Sequence, residues 1–131
     1  MTKERIVRRY VAAFNCGDWD ALAALFTPDA EIFGVLGAGG LDVAMPIWRM
    51  LHEGLAMELH IQAMVSEGDT VAVRYIERGR FVGPFRGHQP TGQGYEINAM
   101  EWFVFRDGLI ARRWGARDSA AIARQTGMPP G

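Results

Sequence analysis

The stretch from Gly94 to Asp118 constrains this chain more than any other. Two strand-like apolar runs flank Asp107-Gly108, a dipeptide that tolerates positive φ at both turn positions and so predicts a tight β-hairpin. Strand alternation then assigns Ile97, Ala99, Glu101, Phe103 and Phe105 to one face and Asn98, Met100, Trp102 and Val104 to the other. Both faces are mostly apolar, which predicts that both are covered. Glu101 is the exception on its face. A buried carboxylate is costly unless it is neutral or paired, so this residue needs an explanation in chemistry or in a partner.

The rest of the composition bounds what the hairpin can belong to. A chain of 131 residues with 49% hydrophobic and 22% charged residues suits one soluble domain spanning 1–131 with one core. A net charge of -1 supplies no global field for nucleic acid or an anionic membrane. Cys16 is the only cysteine, so no internal disulfide can form. The start, Met1-Thr2-Lys3-Glu4-Arg5, lacks the apolar core of a secretion signal, and no apolar run is long enough to span a bilayer. The expectation is a cytoplasmic protein.

In chain order, residues 3–15 place Ile6, Val7, Tyr10, Val11 and Phe14 at helical spacing, with Thr2 as N-cap. A short helix from Asp18 or Asp20 to Phe26 follows, ending at the turn signal Thr27-Pro28-Asp29. Residues 30–33 read as a short strand. The glycine-rich stretch 34–40 has no neighbouring lysine and no phosphate-loop spacing, so it reads as a mobile loop at a pocket rim. Residues 42–55 form a third helix with Pro46 expected in its first turn. Residues 57–65 and 70–81 read as strands around Glu67-Gly68-Asp69, with Val71, Val73 and Tyr75 on one face. A Gly/Pro loop, 83–92, precedes the hairpin, and residues 119–125 form a closing helix ended by Gly127. Helices first, then strands that read as antiparallel, imply an α+β fold: a curved sheet with helices on one side and a cavity between the layers.

Several segments give the chain a family resemblance. These are Val11-Ala12-Ala13-Phe14-Asn15 with Gly17-Asp18, Leu25-Phe26-Thr27-Pro28-Asp29-Ala30, and Glu67-Gly68-Asp69-Thr70-Val71-Ala72-Val73-Arg74. Gly87-His88-Gln89-Pro90-Thr91-Gly92 and Arg106-Asp107-Gly108-Leu109-Ile110, with Trp114, Asp118 and Arg124-Gln125-Thr126-Gly127, complete the set. In this order they resemble the SnoaL-like polyketide cyclases of the nuclear transport factor two-like superfamily. The resemblance implies a cone-shaped α+β barrel with a deep apolar pocket, usually dimeric, and cofactor-free aldol closure by an Asp base helped by a His. Aligned on Asp107-Gly108, the His position falls on Glu101 and the Asp position on Gly115. The cavity-side His that many relatives carry after the Pro-Asp turn corresponds to Phe33.

Glu101 is the leading catalytic candidate. Burial alone would favour its neutral form and suit it to proton transfer next to a carbonyl. Pairing with Arg113, which the hairpin register can bring across, would hold it ionised and favour orientation instead. Asp118 is a further catalytic candidate, with helix capping as the alternative. Tyr75 can donate a hydrogen bond to a substrate oxygen, and His60 can act as a base or sit at an edge. Phe33, Trp48, Met57 and Phe103 are expected pocket-lining residues, with plain core as the alternative role. His52, His60 and His88 show no metal-ligand spacing, so neither a metal nor another cofactor is expected.

The function readings are a cofactor-independent acid/base enzyme on a small, largely apolar carbonyl or polyketide-like compound, and a binding or accessory protein that kept only the pocket. The third is a limonene-type epoxide hydrolase using Glu101, Arg113 and Asp118. Matching parity of Met100, Trp102, Val104, Ile110 and Trp114 predicts an apolar outer patch and a homodimer.

Overall fold

The structure, a computed structural model, describes residues 1–34 and 36–128. Its first helix, α1 (Lys3–Cys16), begins where the Thr2 hydroxyl accepts from the Arg5 N–H at 3.2 Å and ends at Gly17, whose φ of 71° reverses the chain. The helix buries the Ile6, Val7, Tyr10, Val11 and Phe14 stripe and exposes its arginines. α2 (Trp19–Ala23) is capped by Asp18.

β1 (Phe26–Gly34) is longer than the four residues expected, because the chain stays extended through the Thr27-Pro28-Asp29 signal. The irregularity survives as a register shift between Phe26 and Glu31. The glycine-rich stretch contributes a short strand, β2 (Gly37–Gly39), paired antiparallel to β1; Val35 lies outside the described residues. α3 (Leu41–Leu55) starts at Gly40, so Pro46 falls in the second turn rather than the first. There it has no N–H to offer the Asp42 carbonyl.

β3 (Glu58–Glu67), β4 (Thr70–Arg80), β5 (Gly94–Arg106) and β6 (Leu109–Arg117) form an antiparallel meander. The order across the sheet is β2-β1-β6-β5-β4-β3, an open curved sheet of six strands. β1 pairs with β6 in parallel, which corrects the all-antiparallel expectation: the chain crosses the inner face through its helices before the meander returns to β1. Asp107 and Gly108 both take positive φ, 53° and 78°, and join β5 to β6 as their sequence predicts. α4 (Ser119–Thr126) closes the chain against β5, where Gln125 exchanges hydrogen bonds with the Glu96 backbone. The loop before β5 is tied to α4 by the Thr91 hydroxyl donating to the Thr126 carbonyl at 2.6 Å.

The core fills the space between the sheet and α1, α3 and α4. Its centre is aromatic: Tyr10 stands edge-on to Phe26, Trp48 and Phe103 at ring distances of 6.0, 6.0 and 5.2 Å. No described helix is long and apolar enough to cross a membrane.

Candidate active site

Strand period places a single inner column on each of three neighbouring strands. On β4 it is Val71, Val73, Tyr75 and Glu77; on β5 it is Tyr95, Ile97, Ala99, Glu101, Phe103 and Phe105. On β6 the inward residues are Arg113, Gly115 and Arg117. The hairpin register puts Glu101 opposite Gly115 and Phe103 opposite Arg113, so Arg113 reaches Glu101 diagonally along the inner face.

Gly115 makes this reach possible. A Cβ there would overlap the guanidinium of Arg113. With the space empty, Arg113 Nε donates to Glu101 Oε2, and its Nη1 donates to the Phe33 carbonyl at 3.3 Å. The same guanidinium lies 5.7 Å from the Trp48 ring centre. Tyr10 reaches in from α1 and donates to the same Oε2 at 2.9 Å. Glu101 Oε1 makes no hydrogen bond of good geometry, and neither does the buried hydroxyl of Tyr75, which lies close enough to the Glu101 carboxylate to interact with it.

The electrostatics follow from burial and this pairing. Burial works against the Arg113 charge, yet the adjacent Glu101 carboxylate outweighs it and raises the pKa above the ordinary arginine value. Burial, reinforced by the charge of Glu101, pushes the hydroxyls of Tyr10 and Tyr75 well above the usual tyrosine range, so both remain neutral donors.

Two adjoining cavities share this wall. The inner one is lined by Tyr10, Trp48, Met57, Tyr75, Glu101 and Arg113 among others. The outer one is walled by Ile32, Val43, Ile47, Trp48 and the glycine-rich stretch, with Arg113, Gly115 and Arg117 between the two. The glycine-rich stretch therefore does form the rim of a pocket.

Of the residues singled out from sequence, Glu101, Arg113, Tyr75, Trp48 and Met57 come together here. The others lie elsewhere. Phe33 is paired with Trp114 across the parallel β1–β6 ladder, which turns its ring to the outer face, stacked on Trp114 at 5.2 Å; Ile32 faces the cavity instead. His60 has the parity opposite to buried Leu59 and sits 3.4 Å from Glu58, outside both cavities. Phe103 is buried under Tyr10 and belongs to the core. Asp118 caps α4, accepting from the Ala121 N–H at 3.0 Å, and lines neither cavity.

Sequence reasoning missed Tyr10, which it treated as one residue of an apolar helix stripe. It also missed a second buried cluster. Glu77 is fully buried; Arg117 donates to it through Nε at 2.8 Å and Nη2 at 2.6 Å, and Tyr95 donates at 2.6 Å. The signal was present: Glu77 continues the Val71, Val73, Tyr75 face just as Glu101 interrupts its own. Among the described residues no group of His, Cys, Asp and Glu side chains is arranged to hold a metal ion.

Solved structures share this architecture. IdmH of Streptomyces antibioticus, a candidate polyketide cyclase, matches with a TM-score of 0.87 at 27% identity, over 97% of this chain and 99% of that one. A candidate SnoaL-like polyketide cyclase from Jannaschia sp. CCS1 matches with a TM-score of 0.86 at 25% identity, over 96% and 92%. AclR of Streptomyces galilaeus, a candidate hydroxylase, shares the fold with a TM-score of 0.86 at 22% identity, over 98% and 86%. The sequence model of one family matches residues 4–126, nearly the whole chain. The chain belongs to the SnoaL-like polyketide cyclases, within the nuclear transport factor two-like superfamily.

Proposed function

We propose that the chain is an acid/base enzyme acting on a small, largely apolar carbonyl compound of the polyketide kind, by aldol cyclisation, isomerisation or dehydration, with no cofactor. One observation carries this reading: in a cavity with mostly apolar walls, a buried carboxylate keeps one oxygen, Oε1, without a hydrogen bond of good geometry. Oε2 is fixed by Tyr10 and Arg113, which orients Oε1 toward the cavity space. Oε1 is the atom that takes the substrate proton and returns it. The neutral Tyr75 hydroxyl stabilises the oxygen on which negative charge develops, and Arg113 adds positive charge nearby.

The test is exchange of the acidic protons of a panel of 1,3-dicarbonyl compounds, followed by NMR in deuterated buffer. Wild-type protein accelerates exchange of at least one member, and Glu101→Gln loses about 10²–10⁴-fold of that acceleration. Exchange no faster than in buffer overturns the proposal.

A binding or accessory role is the second reading, favoured by the Arg113 pairing itself, since that contact accounts for a buried carboxylate without any chemistry. Epoxide hydrolysis of the limonene type asks for a second carboxylate at the reacting water. Asp118, its sequence candidate, is engaged at the start of α4.

We further propose a homodimer through the outer sheet face. Met100, Trp102 and Trp114 are 55%, 50% and 39% exposed there and adjoin exposed Val65, an apolar area of the kind that marks interfaces. Ile110 is not part of it: a register shift between Val104 and Phe105 turns Ile110 inward, where it is fully buried. Light scattering at micromolar concentration should give twice the chain mass, and a monomer removes the proposal.

A further inference from the structure

Two buried polar atoms in the inner cavity make no hydrogen bond of good geometry, Tyr75 Oη and Glu101 Oε1, although the Tyr75 hydroxyl lies close enough to the Glu101 carboxylate to interact with it. Tyr75 is fully buried and Glu101 is 6% exposed. They belong to adjacent strands and to the same face: Val73 is opposite Glu101 and Ala99 is opposite Tyr75, which makes Tyr75 and Glu101 diagonal neighbours. Both side chains line the same cavity. Leaving two such atoms unpaired costs stability, so they mark a place where something else supplies the bonds.

The chemistry of the two atoms is complementary. With Oε2 bound by Arg113 as an ion pair, Oε1 belongs to a carboxylate and can only accept. The phenol of Tyr75 is held neutral by burial and by Glu101, so it has a proton to donate. A ligand carbonyl satisfies Tyr75 and leaves Oε1 bare, and a C–H satisfies neither. An ammonium satisfies Oε1 but brings a second cation beside Arg113 and leaves the phenol proton unused. A hydroxyl accepts from Tyr75 and donates to Oε1 at once.

We propose that Tyr75 Oη and Glu101 Oε1 form a seat for one hydroxyl group of the ligand, an alcohol or an enol, with the apolar remainder against Trp48, Leu51 and Met57. This deepens the acid/base reading and rests on it for the role of Glu101: Oε1 takes the carbon-bound proton of the keto form and accepts the O–H of the enol that results. The substrate class narrows to hydroxy-carbonyl or enolised dicarbonyl compounds with an otherwise apolar body.

The experiment compares a matched pair of probes, 2-naphthol and its methyl ether 2-methoxynaphthalene, by titration calorimetry at neutral pH. The ether keeps the acceptor and the apolar body but cannot donate to Oε1. Wild-type protein should bind the naphthol at least about tenfold more tightly than the ether, because the ether leaves a buried carboxylate oxygen unpaired. Tyr75→Phe should weaken both probes, because each accepts from its hydroxyl. Equal affinities for the pair overturn the seat, as does failure of both to bind at millimolar concentration or naphthol binding that Tyr75→Phe leaves intact. The wild-type comparison does not depend on any variant folding. A hydroxyl preference without proton-exchange activity upholds the seat and removes the catalytic reading; exchange activity without the preference removes the seat alone.

Discussion

Glu77 and Glu101 are both buried on the inner face of the same sheet, each with an arginine from β6 and a tyrosine. The likeness stops at the number of bonds. Arg117 grips Glu77 through two nitrogens, one per oxygen, and Tyr95 adds a third bond. Arg113 and Tyr10 both land on a single oxygen of Glu101, so the other is left over. Burial and partner type therefore do not separate a structural cluster from a working one; the unfilled bonding capacity does. Both border the inner cavity, but Glu77 has both oxygens bonded and contributes to the fold, whereas Glu101 borders it with one oxygen left over.

The largest expected effect breaks the closed cluster. Glu77→Gln leaves Arg117 buried without a counter-charge and should cost about 3–5 kcal/mol of stability by urea unfolding. Glu101→Gln disturbs two bonds on one oxygen rather than three on two, so its loss should be smaller. Its effect belongs to proton exchange instead. Equal losses in stability would mean that the two clusters do the same job.

A second pair of substitutions sharpens the contrast at the glycines. A Cβ at Gly79 would collide with the Leu55 carbonyl and with the Tyr95 ring that serves Glu77, and backbone cannot step aside. A Cβ at Gly115 would meet only the flexible end of Arg113. Gly79→Ala should therefore cost about 1–3 kcal/mol or more, and Gly115→Ala less. Combining Gly115→Ala with Arg113→Met should be less damaging than the sum of the two, because they remove one shared contact; additive losses by denaturation would refute the account of Gly115. Next in size, Asp118→Ala should cost about 1 kcal/mol as a lost helix cap and leave 2-naphthol affinity unchanged. A fall in that affinity would return Asp118 to the site.

The sequence made some of this visible because local rules govern it. Asp107-Gly108 fixes the hairpin, the hairpin fixes parity, and parity exposes Glu101 as a misplaced charge. The possible pairing with Arg113 was readable from the same register. What stayed hidden depends on non-local pairing. The register shift after Val104 reverses the expected side of Ile110, and the parallel β1–β6 ladder turns Phe33 outward; neither leaves a periodic mark in one strand. Glu77 is different: it lies within the strand expected over 70–81, two positions beyond Tyr75 on the same face, so the parity that marks Glu101 marks it too. Tyr10 could not be singled out, since a helix stripe gives no clue to which member meets a carboxylate 91 residues away.

The smallest expected effect concerns pH and involves every tyrosine of the chain, Tyr10, Tyr75 and Tyr95. All are buried, and burial first, then the neighbouring glutamate, raises each above its ordinary value: Glu101 for Tyr10 and Tyr75, Glu77 for Tyr95. In the unfolded chain they ionise near the model value of about 10. A raised folded value means that this contribution to stability is complete below about pH 10 and is lost as pH rises from there toward the folded values. Each tyrosine adds at most about 1.4 kcal/mol per pH unit to that decline. Urea midpoints should therefore start to fall as pH passes about 10, and less steeply in Tyr95→Phe. Tyrosinate absorbance should stay absent from the native protein over the same range. The comparison between clusters makes a finer demand. Tyr95 donates a short hydrogen bond to Glu77, whereas the Tyr75 hydroxyl borders the cavity with no well-formed bond. If any native tyrosine ionises before unfolding, it should be Tyr75, and Tyr75→Phe should erase the signal. A native signal that survives that substitution but disappears in Tyr95→Phe would mean that the Glu77 cluster is open to water, and the distinction between the two carboxylates would fail.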